Sequence, residues 1–389
     1  MTGLKRKEKK ASRPPAMFPV LRYVPEARRI FFRRLKVLFN GVQRYEGPDV
    51  DICRSIIDDC YNKEKEYFMT SNGHFCEFYV RDFGWSVESL LKLGYGERVR
   101  KTLEYVMETF EDYGSIEQVI DPYGRPFTYP LNYSPDAVSF LIRSLNLADS
   151  IDLIERHKDL LNRELINCFK MVVDKRTGLV RRDRAFVSMK DYSLRVSSCY
   201  DNVMIGMLSE DLKEIGILEN PFARCDYRKL LIENFWTGEY FLDDLSKHQI
   251  ICGDANVIPF WTSLIKRRDM LRKAMYTIMQ EGLANPFPLR FTDKRYNEQK
   301  MVWEEFFAGD YQRSAIWPHI GMMFIDLMRK IDIDYARNYL GRYQKLIEKY
   351  RNFLEVYNRK GKPFSTVWFY TDESMIWAAN YLYLKETIC

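Results

Sequence analysis

Two kinds of apolar pattern alternate along the chain. In the first, a polar residue opens a run that is apolar nearly all round: "RDFGWSVESLL" from Asp82, "PDAVSFLIRSL" from Asp136, "YDNVMIGML" from Asp201 and "GDANVIPFWTSLI" from Asp254. Two more such runs follow Arg313 ("RSAIWPHIGMMFIDLM") and Asp372 ("TDESMIWAANYLYL"). In the second, apolar positions recur at helical spacing and charges fill the opposite side. "ERVRKTLEYVMETFEDYG" shows this, with Val99, Leu103, Val106, Met107 and Phe110 on one stripe. These one-faced helices are predicted over 48–69, 97–112, 151–172, 226–235, 267–283 and 333–356. Helices apolar on all sides are buried, and one-faced helices line a surface.

The marked positions are separated by 54, 65, 53, 59 and 59 residues, a regular period without sequence identity between units. Six buried helices alternating with six one-faced helices give six hairpins. The predicted fold is therefore all-α, an (α/α)6 barrel. Short β-hairpin loops are expected over one end, from "TGLVRRDRAFVSMKDYSLRVSS" and "PFPLRFTDKRYNEQKMVWEE", because loops of such length in a compact domain are usually functional. If the hairpins close on one another, Asp82, Asp136, Asp201, Asp254, Arg313 and Asp372 ring one end. Each acid alone reads as a helix cap. A convergent ring of five acids and an arginine reads as a binding site, since like charges crowd unless something is bound.

Composition changes this picture little. The hydrophobic fraction of 46% and charged fraction of 29% are those of an ordinary globular chain, and no run approaches the length of a membrane span. Eight scattered cysteines fit neither a zinc site nor a disulfide scaffold. With no secretory signal at "MTGLKRKEKKASRPP", a cytoplasmic protein without integral membrane contact is expected. The net charge of +6 hides an asymmetry: residues 1–36 hold twelve Lys/Arg against Glu8 and Glu26, so the remaining chain carries −4. The basic surplus is a tail, which argues against a nucleic-acid partner. Residues 1–16 read as a disordered tail, 17–45 as a basic amphipathic segment and 46–389 as the catalytic domain. "ARRIFFRRLKVLF" suits a membrane-surface or polyanion contact, but the preferred reading is a packed helix with its arginines in solvent.

Aromatic residues make up 15% of the chain, and Trp85, Tyr200, Trp261, Trp303, Tyr311, Trp317, Trp368 and Trp377 fall near the marked helix starts. Aromatic rings can stack on the C–H faces of a sugar while carboxylates and arginine take its hydroxyls. The bland alternative is that these aromatics are core.

Several segments, in order, resemble the six-hairpin glycosidases: trehalases, glucoamylases, neutral invertases, processing α-glucosidases and glycogen-debranching glucosidases. "VRDFGWS" looks like the Arg-Asp segment of glucoamylases and invertases, and "YPLNYSPDAVSFL" is similar to the clan's second inner-helix start. "SSCYDNVM" resembles the trehalase stretch around the acid, although Cys199 stands where that motif has a small residue. "DYQRSAIWPHI" and "NFLEVYNRKGKP" are similar to the aromatic-x-Arg-x-x-Ile-Trp and Glu-x-Tyr-Asn segments.

The resemblance implies an inverting glycoside hydrolase acting on a small α-linked glucoside or oligosaccharide. It makes Glu355 the base that activates water and Asp201 the proton donor, with Asp136 as rival donor. Arg81 and Asp82 become holders of the innermost sugar. An acid beside an arginine at a helix N-terminus is expected to have a lowered pKa, which suits that role. Trp85, Asp136, Tyr200, Asp254, Tyr311, Arg313, Trp317 and Trp377 complete the expected sugar-binding set, and Glu304 and Glu305 are placed near an outer subsite. The expected partner is a small carbohydrate, with no nucleic acid, cofactor or metal. A non-catalytic carbohydrate-binding barrel is the alternative. An epimerase on the same barrel would need histidine, and only His74 and His319 fall near site loops.

Overall fold

A computed structural model describes residues 24–131, 133–246, 248–293, 300–302, 305 and 309–388. The expected tail at 1–16, together with Trp303 and Glu304, lies outside these residues. The buried helices are α3 (Val80–Lys92), α5 (Pro135–Leu147), α8 (Cys199–Ile215), α10 (Gly253–Trp261), α12 (Pro318–Met328) and α14 (Ala378–Ile388). Each packs on the next in that order, and α14 packs back on α3, so the contacts return to their start. Around them lie α2 (Asp49–Asp59), α4 (Gly96–Tyr113), the pair α6 (Ile151–Arg156) and α7 (Lys158–Val172), α9 (Tyr227–Phe235), α11 (Arg268–Gln280) and α13 (Ile333–Tyr350). An N-terminal helix α1 (Val24–Asn40) precedes them.

Burial follows the two patterns. Along α8, residues Cys199 to Ser209 are buried without a break. On α4, Val99, Thr102, Leu103, Val106, Met107 and Phe110 form the single buried stripe. The closeness of the inner helices shows at Gly84, where an added Cβ would come within 2.6 Å of the Phe140 side chain. No larger residue fits between α3 and α5 there.

The sequence expectation needs correction at several boundaries. The segment 48–69 is helical only to Asp59, and Tyr61–Asn62 (β1) pairs antiparallel with Tyr67–Phe68 (β2). The helix predicted to 356 ends at Tyr350, because Arg351 turns left-handed at φ 55°. Glu355 is therefore on an extended segment, joined through the Ile316–Tyr357 bridge to the chain before α12. Arg313 and Asp372 also precede their helices by irregular segments, with Pro318 at the first position of α12. Among the described residues the two long loops meet one another. They pair with each other at Ser193 and Met301, with Val302 N donating to Tyr192 O at 2.8 Å. A small sheet of Phe78–Tyr79 (β3), Val119–Ile120 (β4) and Pro126–Phe127 (β5) stands beside them.

Candidate active site

A cavity of about 120 Å³ opens at the N-terminal ends of the inner helices. That volume approaches the roughly 150 Å³ known to hold one six-membered ring. Seven of the residues expected from sequence line it: Arg81, Asp82, Trp85, Tyr311, Trp317, Trp377 and Glu355. Among the lining residues that sequence reading did not assign to the site are Asp191 and His319.

The geometry starts from Arg81, in the first turn of α3. Its Nη1 meets Asp136 Oδ2 at 3.2 Å, and its Nη2 donates to both oxygens of Asp191 at 3.0 and 3.1 Å. Asp191 reaches this position because its loop is pinned to the 300–302 segment and because Tyr192 N donates to Gln312 Oε1 at 2.6 Å. Burial raises the Asp191 pKa to about 6, against the opposing pull of Arg81.

Asp82 behaves differently from expectation. Its neighbour Arg81 was expected to lower its pKa, but burial outweighs the guanidinium and lifts it to about 7. The physical reason is that Arg81 hydrogen-bonds Asp136 and Asp191 instead. Asp82 is also not an N-cap: Tyr79 holds that position, and Asp82 sits in the first turn.

Glu355 is held from both sides. Its Oε2 accepts from the Asp372 N–H at 2.8 Å, and its Oε1 accepts from the Tyr311 hydroxyl. Burial, followed by nearby Asp372, raises its pKa to about 8. Tyr311 is fixed by Trp317, whose ring lies 4.7 Å away edge-on and whose Nε1 donates to Tyr311 O at 2.9 Å. His319 stacks flat on Trp85 at 4.2 Å. Burial and then Arg81 push its pKa well below the ordinary value, so the imidazole is neutral. Both its ring nitrogens and the Trp85 indole N–H are buried without a protein partner. Buried polar atoms of this kind call for a ligand or water to satisfy them.

Asp372 organises the layer behind Glu355. Its carboxylate accepts from Ser71 Oγ at 2.5 Å and from the N–H groups of His74 and Phe75, each at 2.9 Å. It also pairs with Arg33 of α1 at 3.2 Å and with the His74 ring at 3.1 Å. Against burial, His74, Arg33 and Ser71 together hold its pKa well below the carboxylate range. Gly73 is required at this point, since an added Cβ would collide with Asp372 Oδ1.

The remaining expected residues that are described do not line the cavity. Asp136 is fully buried beneath Arg81 and accepts from Tyr200 OH at 2.9 Å and from Ser134 Oγ. Asp201 folds into the first turn of α8, where Ser198 Oγ bonds both its N–H (3.0 Å) and its Oδ2 (2.6 Å). Burial raises Asp201 to about 7, with Arg195 opposing. Asp254 pairs with Arg195 at 3.1 Å and Lys190 at 3.4 Å. Arg313 acts on Glu305, whose pKa burial lifts to about 8 against it; Glu305 is buried away from the cavity lining. Trp261 ends α10 at a different pocket, and Trp368 is exposed on the loop after Glu355.

One group among the described residues has metal-ligand spacing: Asp243, Cys252 and Asp254. The Lys190 ammonium lies 2.8 Å from Asp243, 3.4 Å from Asp254 and 3.3 Å from Cys252 Sγ. It neutralises the carboxylates a cation would need, so these residues do not fit a metal.

Comparison with known proteins places the fold. No family model and no curated protein sequence matches the chain. Solved structures do. A glycosidase in complex with glucose superposes with a TM-score of 0.63 at 10% identity, covering 87% of this chain and 96% of that one. The GH63 mannosylglycerate hydrolase of Thermus thermophilus, with Tris and D-glycerate, gives 0.59 at 12% identity, covering 87% and 100%. A GH78 rhamnosidase of a Bacillus species gives 0.61 at 13% identity, covering 87% of this chain and 34% of that one. The chain has the six-hairpin glycosidase-like fold that its motifs resemble.

Proposed function

We propose that this chain is an inverting glycoside hydrolase, built on an (α/α)6 barrel, that removes one terminal sugar from a small α-linked glucoside or oligosaccharide. The observation that carries this reading is the meeting of three carboxyl groups, Asp82, Asp191 and Glu355, around one ring-sized cavity walled by tryptophans. A cavity of this size takes no more than a single sugar ring, so the rest of the substrate lies outside it.

Inversion needs a proton donor on one side of the sugar and a base holding water on the other. Glu355 is assigned the base, following the Glu-x-Tyr-Asn resemblance, with Tyr311 and the Asp372 N–H fixing both oxygens. Since burial lifts Glu355 to about 8 and Asp191 to about 6, turnover runs through the form of the pair in which Glu355 is ionised and Asp191 holds the proton. Asp191 takes the donor role in place of Asp201, because Asp191 lines the cavity and Asp201 does not. Arg81 fixes Asp191, while Asp82 and His319 offer hydrogen bonds to sugar hydroxyls.

The test is a panel of α-glycosides followed by proton NMR, which should show β-sugar appearing before mutarotation. Asp191→Asn and Glu355→Gln should each lose about 10²–10⁴-fold in rate. An aryl glycoside whose leaving group needs no proton should rescue Asp191→Asn and not Glu355→Gln. Rescue of Glu355→Gln alone would exchange the two roles, and retained configuration would overturn inversion. Sugar binding without turnover would identify a carbohydrate-binding barrel instead.

A further inference from the structure

Helix α1 packs the opposite way from its sequence expectation. Arg33 is 8% exposed, in contact with Asp372, Glu373 and the carbonyls of Tyr370 and Thr371. Arg29 turns inward to Glu77 and the His74 carbonyl, and Arg34 reaches the Thr366 carbonyl. The apolar residues face out: Phe31, Phe32, Leu38 and Phe39 are 41%, 54%, 59% and 84% exposed. Positions 31, 32, 35, 38 and 39 follow helical spacing, so they form one continuous stripe. Arg28 lies over the Phe32 ring at 5.4 Å, and Lys36 is exposed on the same helix. A stripe of large apolar side chains is not a surface a solvated helix keeps without a partner.

We infer that α1 is a peripheral membrane anchor, inserting the Phe31–Phe39 stripe into the surface of an anionic lipid bilayer. Charge selects this occupant. The chain before α1 carries Lys5, Arg6, Lys7, Lys9, Lys10, Arg13 and Arg22 against Glu8. A basic cluster next to an amphipathic helix with exposed aromatics is the arrangement that binds anionic headgroups while the rings enter the acyl boundary. The same charge opposes a second copy, because two such segments would repel across a shared apolar face. A nucleic acid would use the charge and leave the phenylalanines in water. No helix among the described residues is long and apolar enough to cross a membrane, so the contact is at the surface. It is independent of the glycosidase reading.

The test is co-sedimentation of the full chain with vesicles of phosphatidylcholine alone and of equimolar phosphatidylcholine and phosphatidylserine at physiological salt. The wild type should partition onto the anionic vesicles and not the neutral ones. Phe32→Ser/Phe39→Ser should lower that partition by about tenfold or more, from the lost apolar burial. Lys5→Gln/Lys7→Gln/Lys9→Gln/Lys10→Gln should lower it most at low salt, the difference from the wild type shrinking as salt screens the charges. Failure to bind anionic vesicles, or binding indifferent to the phenylalanine pair, overturns the proposal. So does a dimer in light scattering that this pair dissociates, which gives the face to a second copy. A melting temperature lowered by the same pair would mean that the chain's own N-terminal residues cover the stripe, and also overturns it.

Discussion

Replacing Glu355 by Gln should make the protein more stable while removing its activity, and the gain should depend on pH. The Glu355 carboxyl, ordinarily near 4.5, is lifted to about 8 by burial in the folded chain. Below about pH 4.5 the group is protonated in both the folded and unfolded states and contributes no pH-dependent term. As pH rises the unfolded chain ionises first, so folding is disfavoured progressively until the folded group also ionises near 8. At pH 7 that burden spans about 2.5 pH steps of about 1.4 kcal/mol each, or about 3 kcal/mol. Glutamine is neutral at every pH and can keep both contacts, its oxygen accepting from the Asp372 N–H and its amide donating to Tyr311. After the cost of re-forming those bonds, a gain of about 1–3 kcal/mol is expected at pH 7–8. By the size scaling of melting entropy this is about 1–4 °C in Tm. Differential scanning fluorimetry of both proteins from pH 4 to 8 should show the Glu355→Gln protein no more stable than the wild type at pH 4 and gaining on it as pH rises. A Glu355→Gln protein less stable at pH 8, or a gain of equal size at pH 4 and 8, would refute the claim that the site carries a buried, costly carboxyl. Such a burden is what a buried reactive carboxyl costs the fold.

Two further outcomes follow from the same geometry. The pH dependence of kcat/KM should be bell-shaped with limbs near 6 and 8, the values to which burial raises Asp191 and Glu355; these limbs belong to the pair, whichever member holds the proton. A flat profile from pH 5 to 9 would separate the two groups from the reaction. Arg33→Ala should cost about 3 kcal/mol, since it leaves the buried Asp372 carboxylate short of its cation, and should slow turnover by loosening the Asp372 N–H against Glu355. Unchanged stability in chemical denaturation would show that α1 does not brace the site.

Much of this molecule is legible in its sequence. The alternation of all-round and one-faced apolar helices follows from the 3.6-residue period, and the stripe from Val99 to Phe110 is buried as that period requires. Arg81 and Asp82 could be picked out because they interrupt an aromatic run, and Glu355 through the resemblance of its Glu-x-Tyr-Asn segment. Asp191 could not. Its loop was marked by length alone, and what brings its carboxylate to the cavity is Arg81, 110 residues earlier, together with the pairing of two loops. No local pattern encodes either. Depth was equally hidden: six helix starts at one end all look alike in sequence, yet Asp136 and Asp254 are sealed into ion pairs while Asp82 meets the cavity.

The sequence by itself determined that α1 is an amphipathic helix, that the inner helices are buried, and which acids stand at their starts, because these depend on spacing along one segment. Only the tertiary structure decided which acids meet, how far burial outweighs Arg81 at Asp82, and which way α1 faces. A helical period fixes two faces but not which one turns inward. In α1 that choice was made by Asp372, Glu77 and the carbonyls of distant loops, whose bonds to Arg33 and Arg29 leave the phenylalanines outside.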